Sequence, residues 1–168
     1  HIGPEGWPDL DMLPLGRIGL RAEVGEPRFS RLTRIEQTTM MTLWCILRSP
    51  LMFGGNLPDN DEWTWSLLTN PEVLAVNREG SAPFEVFSRP GAAAHASAGP
   101  NGSKYLAVFN LSDEGEDEIR VRFEDVEIFG RVAVRDLWAR RDLGTREDAL
   151  DVRLPPHGAA LFKITPAR

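Results

Sequence analysis

Two carboxylates near the start of the chain, Asp9 and Asp11, are spaced so that both could bind one polar ligand. They lie between Trp7 and Met12 in a segment punctuated by prolines and glycines, which predicts a stiff loop. In an extended segment, residues i and i+2 point to the same side, so both acids can face one pocket. Carboxylates accept hydrogen bonds from hydroxyls and an indole covers apolar C–H surface, so the segment suits a sugar or polyol. The same residues also fit a structural turn whose aspartates cap backbone groups.

The composition limits the classes of partner. The 168 residues include 42% hydrophobic and 26% charged side chains, with a formal net charge of −6. Nucleic acids and anionic membranes are polyanions that require a basic face, so we expect neither as a partner. No apolar run approaches the roughly 18 residues needed to span a bilayer. The length fits one medium domain or two small ones.

We predict no metal and no cofactor. The acidic run at 113–118 lacks the ligand spacing of a calcium loop and favours a solvated hairpin tip. His157 has no cysteine or second histidine at ligand spacing, and no glycine-rich loop could cradle a phosphate. The single cysteine, Cys45, stands among apolar residues, which predicts a buried, inert thiol.

A helix is the first element that must position the acids. Residues 17–32 mix charges with Gly and Pro and predict an irregular connection. Thr33 and Glu36 then match a capping box, which predicts a helix to about Arg48, before Ser49-Pro50. Its predicted buried face, at three- and four-residue steps, is Ile35, Met40, Leu43, Trp44 and Leu47. Met40, Met41 and Trp44 could instead line a ligand pocket.

A short apolar run at 51–55 follows this helix. It is too brief for a helix and fits a fully buried strand of a parallel sheet. Ligands of α/β sheets and barrels collect at the carboxyl ends of strands, so Gly54, Gly55 and Asn56 are site candidates by position. A tight turn after the strand fits them equally well.

The periodicity changes from helical to strand-like near residue 80. A short amphipathic helix is predicted at 60–70 and another from Asn70, with Asn70 as N-cap and Pro71 at the first helical position. From Ser81 onward, short runs separated by turn residues predict an antiparallel sandwich. We therefore predict two domains, at 1–80 and 81–168.

Several ordered motifs along the whole chain resemble one family. They are Gly-x-x-Gly-Trp-Pro-Asp-Leu-Asp-Met-Leu at 3–13, Ser-Pro-Leu-Met-Phe-Gly-Gly-Asn-Leu at 49–57, Leu-Leu-Thr-Asn-Pro-Glu-Val-Leu-Ala-Val-Asn at 67–77, Tyr-Leu-Ala-Val-Phe-Asn-Leu at 105–111 and Val-Arg-Asp-Leu-Trp at 134–138. Together they resemble the C-terminal part of the α-galactosidases of glycoside hydrolase family 27. The family commonly shows Trp-Asn-Asp-Pro-Asp-Met-Leu, whereas this chain has Pro8 and Leu10, a departure that bears on substrate choice.

The resemblance implies the fold and the site. It implies terminal strand-helix units of a (β/α)₈ TIM barrel at 1–80, followed by a C-terminal antiparallel β-sandwich. In the family, the second aspartate and the methionine of the loop line the galactose pocket, which maps to Asp11 and Met12. Asp9 is expected to brace the loop, and Trp7 completes the predicted substrate-binding set.

The resemblance also implies a reaction whose reactive acids lie outside this chain. Retaining glycosidases need two carboxyl groups about 5–5.5 Å apart that flank the scissile bond. The family takes both acids from earlier strand ends, in Lys-x-Asp and Trp-Arg-x-x-x-Asp patterns. Neither pattern occurs in residues 1–168. Asp9 and Asp11 lie on one rigid strip and approach a sugar from one direction. We therefore expect the C-terminal segment of an exo-α-galactosidase, acting on terminal α-galactosides and inactive alone.

An alternative from another class is a non-catalytic carbohydrate-binding or structural module formed by the sandwich. Among its aromatic residues, Tyr105 and Trp138 stand out, and both could face the core. The expected partner in either case is carbohydrate. The open sheet edge of a partial barrel also suggests a homo-oligomer, and secretion or export to the periplasm is the expectation for a polysaccharide-degrading enzyme.

Overall fold

In the part of the chain that the structure describes, three α-helices precede the strands of the sandwich, and two short strands precede the first helix. The computed structural model describes residue 6 and residues 8–20, 25–115 and 117–167. In that part of the chain the helices are α1 (Arg34–Ile46), α2 (Glu62–Leu68) and α3 (Pro71–Glu79). The strands are β1 (Arg17–Ile18), β2 (Arg28–Phe29), β3 (Ser81–Arg89), β4 (Ala92–Ala98), β5 (Lys104–Asn110), β6 (Asp117–Arg122), β7 (Val132–Asp136), β8 (Arg141–Arg146), β9 (Ala149–Leu154) and β10 (Ala159–Pro166).

Two antiparallel sheets form the sandwich. The larger has six strands in the order β3-β4-β5-β10-β7-β8, and the smaller pairs β6 with β9. Between them lies an apolar core that includes Leu106, Ile119, Val121, Val152 and Ile164. Along β9 the apolar residues alternate with polar ones, so one face of the strand enters this core. The predicted antiparallel β-sandwich is confirmed.

The other face of the six-stranded sheet packs against helices. A second apolar core joins Phe109 and Leu161 of the sheet to Met41 and Cys45 of α1 and to Val76 of α3. Alternating residues of β5 therefore enter different cores, with Leu106 in the first and Phe109 in the second. The sheet is thus buried on both sides, and the segment before residue 80 is packed on it.

Local signals define α1, but its buried face differs from the prediction. The Thr33–Glu36 capping box is present and starts the helix as expected. Ile35 is 42% exposed, so its predicted burial is wrong. The buried residues of α1 are Gln37, Met41, Thr42, Cys45 and Ile46, whereas the predicted Met40, Leu43, Trp44 and Leu47 are only partly buried against the same core. The fully buried stripe is rotated because α1 contacts the six-stranded sheet and α3 on that side.

Polar contacts join the helices to the sandwich. Asn70 caps α3 by accepting from the backbone N–H groups of Glu72 and Val73, as predicted, and its amide also donates to the Leu137 carbonyl at 3.0 Å. The Trp138 indole donates to Thr42 Oγ1 at 2.9 Å. Two buried or half-buried side chains therefore hold the helices and the sheet in register.

An ion pair at this junction should make stability depend on pH. Arg135 on β7 donates two hydrogen bonds of 2.7 Å to the Glu72 carboxylate, which lowers the pKa of Glu72. A carboxyl group with a depressed pKa stabilises the folded state above its unfolded pKa, and this contribution is lost as the pH falls through its folded pKa. Glu72→Gln should lower the free energy of unfolding by about 1–2 kcal/mol at pH 7, and by less in acid.

Urea unfolding at several pH values measures this difference. Asp151→Asn is the matched control, because Asp151 pairs with Arg120 on the exposed face of the small sheet and should contribute little. Equal losses for Glu72→Gln and Asp151→Asn at neutral pH would contradict the prediction.

Four of the described strands were missed by the sequence patterns. Strands β1 and β2 pair antiparallel within 17–32, where an irregular connection was predicted. Strand β8 is an edge strand of exposed and half-buried residues that includes Gly144, so it lacks an apolar alternation. Strand β9 does alternate apolar and polar residues. The connection between β8 and β9 is short, however, so the sequence does not mark β9 as a separate strand. Within the described residues, no helix is long and apolar enough to cross a membrane.

Candidate functional site

Two neighbouring parallel segments form the base of the candidate site. Leu13 and Phe53 form a parallel bridge, with the Leu13 N–H donating to Met52 at 2.8 Å and the Gly54 N–H donating to Leu13 at 2.9 Å. The run at 51–55, predicted as a strand of a parallel sheet, makes this one parallel bridge and forms no strand of its own. Its predicted complete burial is wrong, because Met52 is 58% exposed and no described residue covers that face.

The two aspartates lie immediately before this bridge. The Asp9 carboxylate accepts a hydrogen bond from the Asp11 N–H at 2.9 Å. The Asp11 carboxylate accepts from the N–H of Met12 at 2.6 Å. Each acid thus uses one oxygen on the backbone, and its other oxygen has no partner among the described residues. Both side chains are exposed and available to a ligand.

Asp11 has a left-handed backbone conformation, with φ of 71°. The regular extended geometry from which the sequence predicted same-side carboxylates therefore ends at this residue. Asp is one of the few residues that enter this region without glycine, because its side chain can bond locally. The two local hydrogen bonds of Asp9 and Asp11 show that local bonding here.

Two residues outside the loop hold it in place. The Trp44 indole of α1 donates to the Asp11 carbonyl at 2.9 Å. The hydroxyl of Ser49, which is fully buried, accepts from the Leu10 N–H at 3.0 Å. Sequence reasoning assigned Trp44 to packing or a pocket lining and did not identify Ser49. Neither contact has a local sequence signal, because each joins residues more than thirty positions apart.

Met12 and Gly54 lie side by side on the two segments. A Cβ on Gly54 would come within 3.3 Å of Met12 Cβ, so the glycine permits the close approach of the two strands. The Met12 side chain is 53% exposed, next to Asp11. The structure therefore brings Asp9, Asp11 and Met12 to one surface, while Trp7 lies outside the described residues.

The predicted candidates Gly54, Gly55 and Asn56 line a cavity of about 530 Å³ with residues 17–20. The Asn56 amide, however, donates to Asp59 at 2.9 Å and its N–H donates to the Arg17 carbonyl at 2.8 Å. Asn56 thus closes a turn with its own polar groups. The turn and the cavity wall are both present at this position.

The Cys45 thiol, the remaining candidate for chemistry on α1, is buried in the apolar core. Burial raises the pKa of Cys45 to about 12, which keeps the thiol protonated and inert. Among the described residues, no group of three or more His, Cys, Asp or Glu side chains could hold a metal ion.

Removing the Trp44 hydrogen bond should loosen the loop. Trp44→Phe keeps an aromatic ring against the core but leaves the Asp11 carbonyl without its donor. We expect a loss of about 1 kcal/mol, or a fall in Tm of about 2–4 °C. Calorimetry measures it, with Trp65→Phe as control because Trp65 is 43% exposed. A Trp44→Phe variant as stable as the control would show that this hydrogen bond adds nothing.

The described residues thus place an antiparallel sandwich behind a pair of parallel segments that present carboxylates. Residues 81–164 match the family model described as the alpha galactosidase C-terminal beta sandwich domain. The chain belongs to this family, as a C-terminal portion of the glycoside hydrolase family 27 alpha-galactosidases.

Relatives match across the whole chain. A probable alpha-galactosidase of Dictyostelium discoideum is 30% identical over 98% of this chain and 41% of its own length. The alpha-galactosidase of Oryza sativa subsp. japonica is 26% identical over 99% of this chain and 37% of its own. The crystal structure of a GH27 β-L-arabinopyranosidase from Geobacillus stearothermophilus is 46% identical, with a TM-score of 0.91 over 96% of this chain and 37% of that one. The chain thus spans about two fifths of the length of these proteins.

Proposed function

We propose that this chain is the C-terminal segment of a retaining exo-α-galactosidase that hydrolyses terminal α-galactosides. Asp11 and Met12 line the wall of the sugar subsite, and Asp9 braces the loop that carries them. The segment before residue 80 supplies the last strand-helix units of a (β/α)₈ barrel. The sandwich follows these units as a C-terminal domain, and the whole enzyme is exported.

The observation that supports this proposal most is the exposed, fixed carboxylate of Asp11. It lies two residues before the parallel bridge between Leu13 and Phe53. Asp9 and Trp44 hold its backbone in the left-handed conformation, so the carboxylate is positioned before a sugar arrives. Preorganised groups of this kind contribute to binding because little side-chain freedom remains to be lost.

The pair Asp9 and Asp11 does not supply the two reactive acids. Double displacement requires one carboxylate to attack the anomeric carbon and another to exchange the leaving-group proton from the other side of the bond. Asp9 and Asp11 are hydrogen-bonded to one short backbone strip, with Asp9 bound to the Asp11 N–H itself. Both reactive acids are therefore supplied from outside residues 1–168.

The activity of the chain alone tests this division of roles. The 168-residue polypeptide, incubated with an aryl α-galactoside, should release no aglycone above the uncatalysed rate. Asp9→Asn and Asp11→Asn variants should be indistinguishable from it. Turnover by the chain that disappears in either variant would overturn the assignment of the reactive acids.

A second candidate substrate is a β-L-arabinopyranoside. It is favoured by the 46% identity to the arabinopyranosidase, which exceeds the 30% and 26% identities to the two alpha-galactosidases. β-L-Arabinopyranose has the ring configuration of α-D-galactopyranose and lacks only its hydroxymethyl group. Asp11 and Met12 can face the same ring in either sugar, so the choice depends on what contacts the hydroxymethyl group.

The ratio of kcat/KM for the two aryl glycosides separates these candidates. It is measured on the longer protein that contains this segment. An enzyme selective for galactose should favour the galactoside by tenfold or more, because an unfilled hydroxymethyl subsite forfeits its hydrogen bonds. A ratio inverted by the same factor would assign the arabinopyranoside as substrate.

A further inference from the structure

Phe129 is an exposed aromatic side chain on the sandwich, far along the chain from the candidate site. Its side chain is 76% exposed, the largest fraction among the large apolar residues in the described part of the chain. The residues before it are buried, with Val126 at 0% and Ile128 at 4% exposure. Phe129 is thus directed outward by a turn whose neighbouring side chains are anchored in the core.

The turn that presents Phe129 is fixed by backbone hydrogen bonds. The N–H groups of Val126 and Ile128 both donate to the Phe123 carbonyl, at 3.2 and 3.1 Å. Glu127 has φ of 57° and Gly130 has φ of 78°, so the chain reverses on both sides of the ring. The backbone that carries the ring is therefore ordered before a ligand arrives, which lowers the entropic cost of binding.

A concave surface of about 700 Å³ adjoins the ring. Its charged walls come from Arg120, Arg122, Arg131, Glu124, Glu147 and Asp148. Three arginines and three acids face one another, so their formal charges cancel. This balance suits a neutral ligand and does not suit a polyanion, which requires a basic face.

The three arginines on these walls are already paired, Arg120 with Asp151 by hydrogen bonds of 2.9 and 3.0 Å, so they can offer a ligand only the N–H groups that these pairs leave over. Arg122 pairs with Glu124, whereas Arg131 is held only at the rim, 3.2 Å from Thr145 and 3.9 Å from Glu147. The Asp148 carboxylate has no partner among the described residues. Guanidinium donors and carboxylate acceptors beside an aromatic face can bind the hydroxyls and the C–H surface of a sugar.

We propose that Phe129 and the surrounding charged concavity form a second carbohydrate-binding site, separate from the candidate site at Asp11. Its ligand is a neutral oligosaccharide or polysaccharide, with Phe129 stacking on one ring and the walls binding hydroxyls. The choice of galactose-bearing polymers as ligand rests on the proposed function. The site anchors the protein to a polymeric substrate without taking part in hydrolysis.

Affinity electrophoresis of the 168-residue chain tests this site. Native gels containing galactomannan, a neutral polymer with terminal α-galactosyl groups, are compared with gels lacking it. Five proteins are run: the unchanged chain, Phe129→Ala, Phe129→Tyr, Phe29→Ala and Asp11→Asn. Phe29 is the matched control because it is also a phenylalanine on the surface, 60% exposed. Circular dichroism checks that each variant is folded.

Galactomannan should retard the unchanged chain, Phe129→Tyr and Phe29→Ala. Phe129→Ala should bind roughly tenfold or more weakly, because the stacking surface is lost. No retardation of the unchanged chain, or equal retardation of folded Phe129→Ala, would overturn the second site. Retardation that is lost in Asp11→Asn but kept in Phe129→Ala would also overturn the second site, while leaving the proposed function intact. Loss of hydrolysis in the longer Phe129→Ala protein on a small aryl galactoside would contradict a purely anchoring role.

Discussion

Residues 81–168 produced without the preceding segment should not fold into a stable, cooperative domain. The six-stranded sheet has two buried faces, and α1 and α3 cover one of them. Separation would expose Phe109, Leu137 and Leu161, which are at most 3% exposed in the whole chain. Each such side chain contributes about 1.5–3 kcal/mol by its burial. Their sum is comparable with the whole stability of about 5–15 kcal/mol typical of a domain.

Thermal and urea unfolding of the two polypeptides measure the effect. The whole chain should show one cooperative transition, whereas 81–168 should bind a hydrophobic dye, aggregate or unfold without a sharp transition. A chain lacking only residues 1–5 is the control, because it retains both apolar cores. A sharp transition in 81–168 with the midpoint of the whole chain would show that the core between its two sheets is sufficient.

Gly55→Ala should strongly destabilise the segments that carry the candidate site. A Cβ on Gly55 would collide with the Leu15 carbonyl oxygen and lie 2.6 Å from Cζ of Phe53. A backbone carbonyl cannot rotate away as a side chain does, so the segment must shift. That shift would disturb the hydrogen bond from Asn56 to the Arg17 carbonyl. We expect a loss of about 3 kcal/mol or more.

Urea unfolding measures the loss for Gly55→Ala. The matched control is Gly6→Ala, because no described atom lies within 4 Å of a Cβ built on Gly6. The control should change the free energy of unfolding by less than about 1 kcal/mol. A Gly55→Ala variant as stable as this control would show that the backbone approach at Leu15 relaxes freely.

Local sequence signals predicted the elements that depend on local physics. The capping box at Thr33 and the Asn70-Pro71 start of α3 bond to the backbone within one turn, so residue type and spacing identify them. Strand β6 alternates buried Ile119 and Val121 with exposed arginines, a period of two that the sequence shows directly. The edge strand β8 contributes only the half-buried Leu143 to the core and carries no such pattern.

Features that depend on distant contacts were not predictable in this way. The buried stripe of α1 is set by the sheet and α3, and apolar spacing alone placed Ile35 inside it. The left-handed conformation of Asp11 is held partly by Trp44, thirty-three positions away. Phe129 is a single aromatic residue in a turn, and only the burial of its neighbours shows that its outward direction is fixed.

The resemblance contributed what the residue patterns could not. Asp9 and Asp11 alone fit a structural turn as well as a sugar site, and their backbone hydrogen bonds agree with a brace. The ordered motifs predicted the family, which the match over residues 81–164 confirms. The assignment of Asp11 and Met12 to the sugar subsite remains a prediction.

Steady-state kinetics of Asp11→Asn in the proposed whole enzyme tests the central claim most directly. The substitution keeps an acceptor for the Met12 N–H but removes the charge that would bind a sugar hydroxyl. We predict a fall in kcat/KM of roughly 10- to 100-fold on the better aryl glycoside, with an unchanged Tm. An Asp11→Asn enzyme with the kcat/KM of the unsubstituted protein would contradict the claim that Asp11 forms the wall of the sugar subsite.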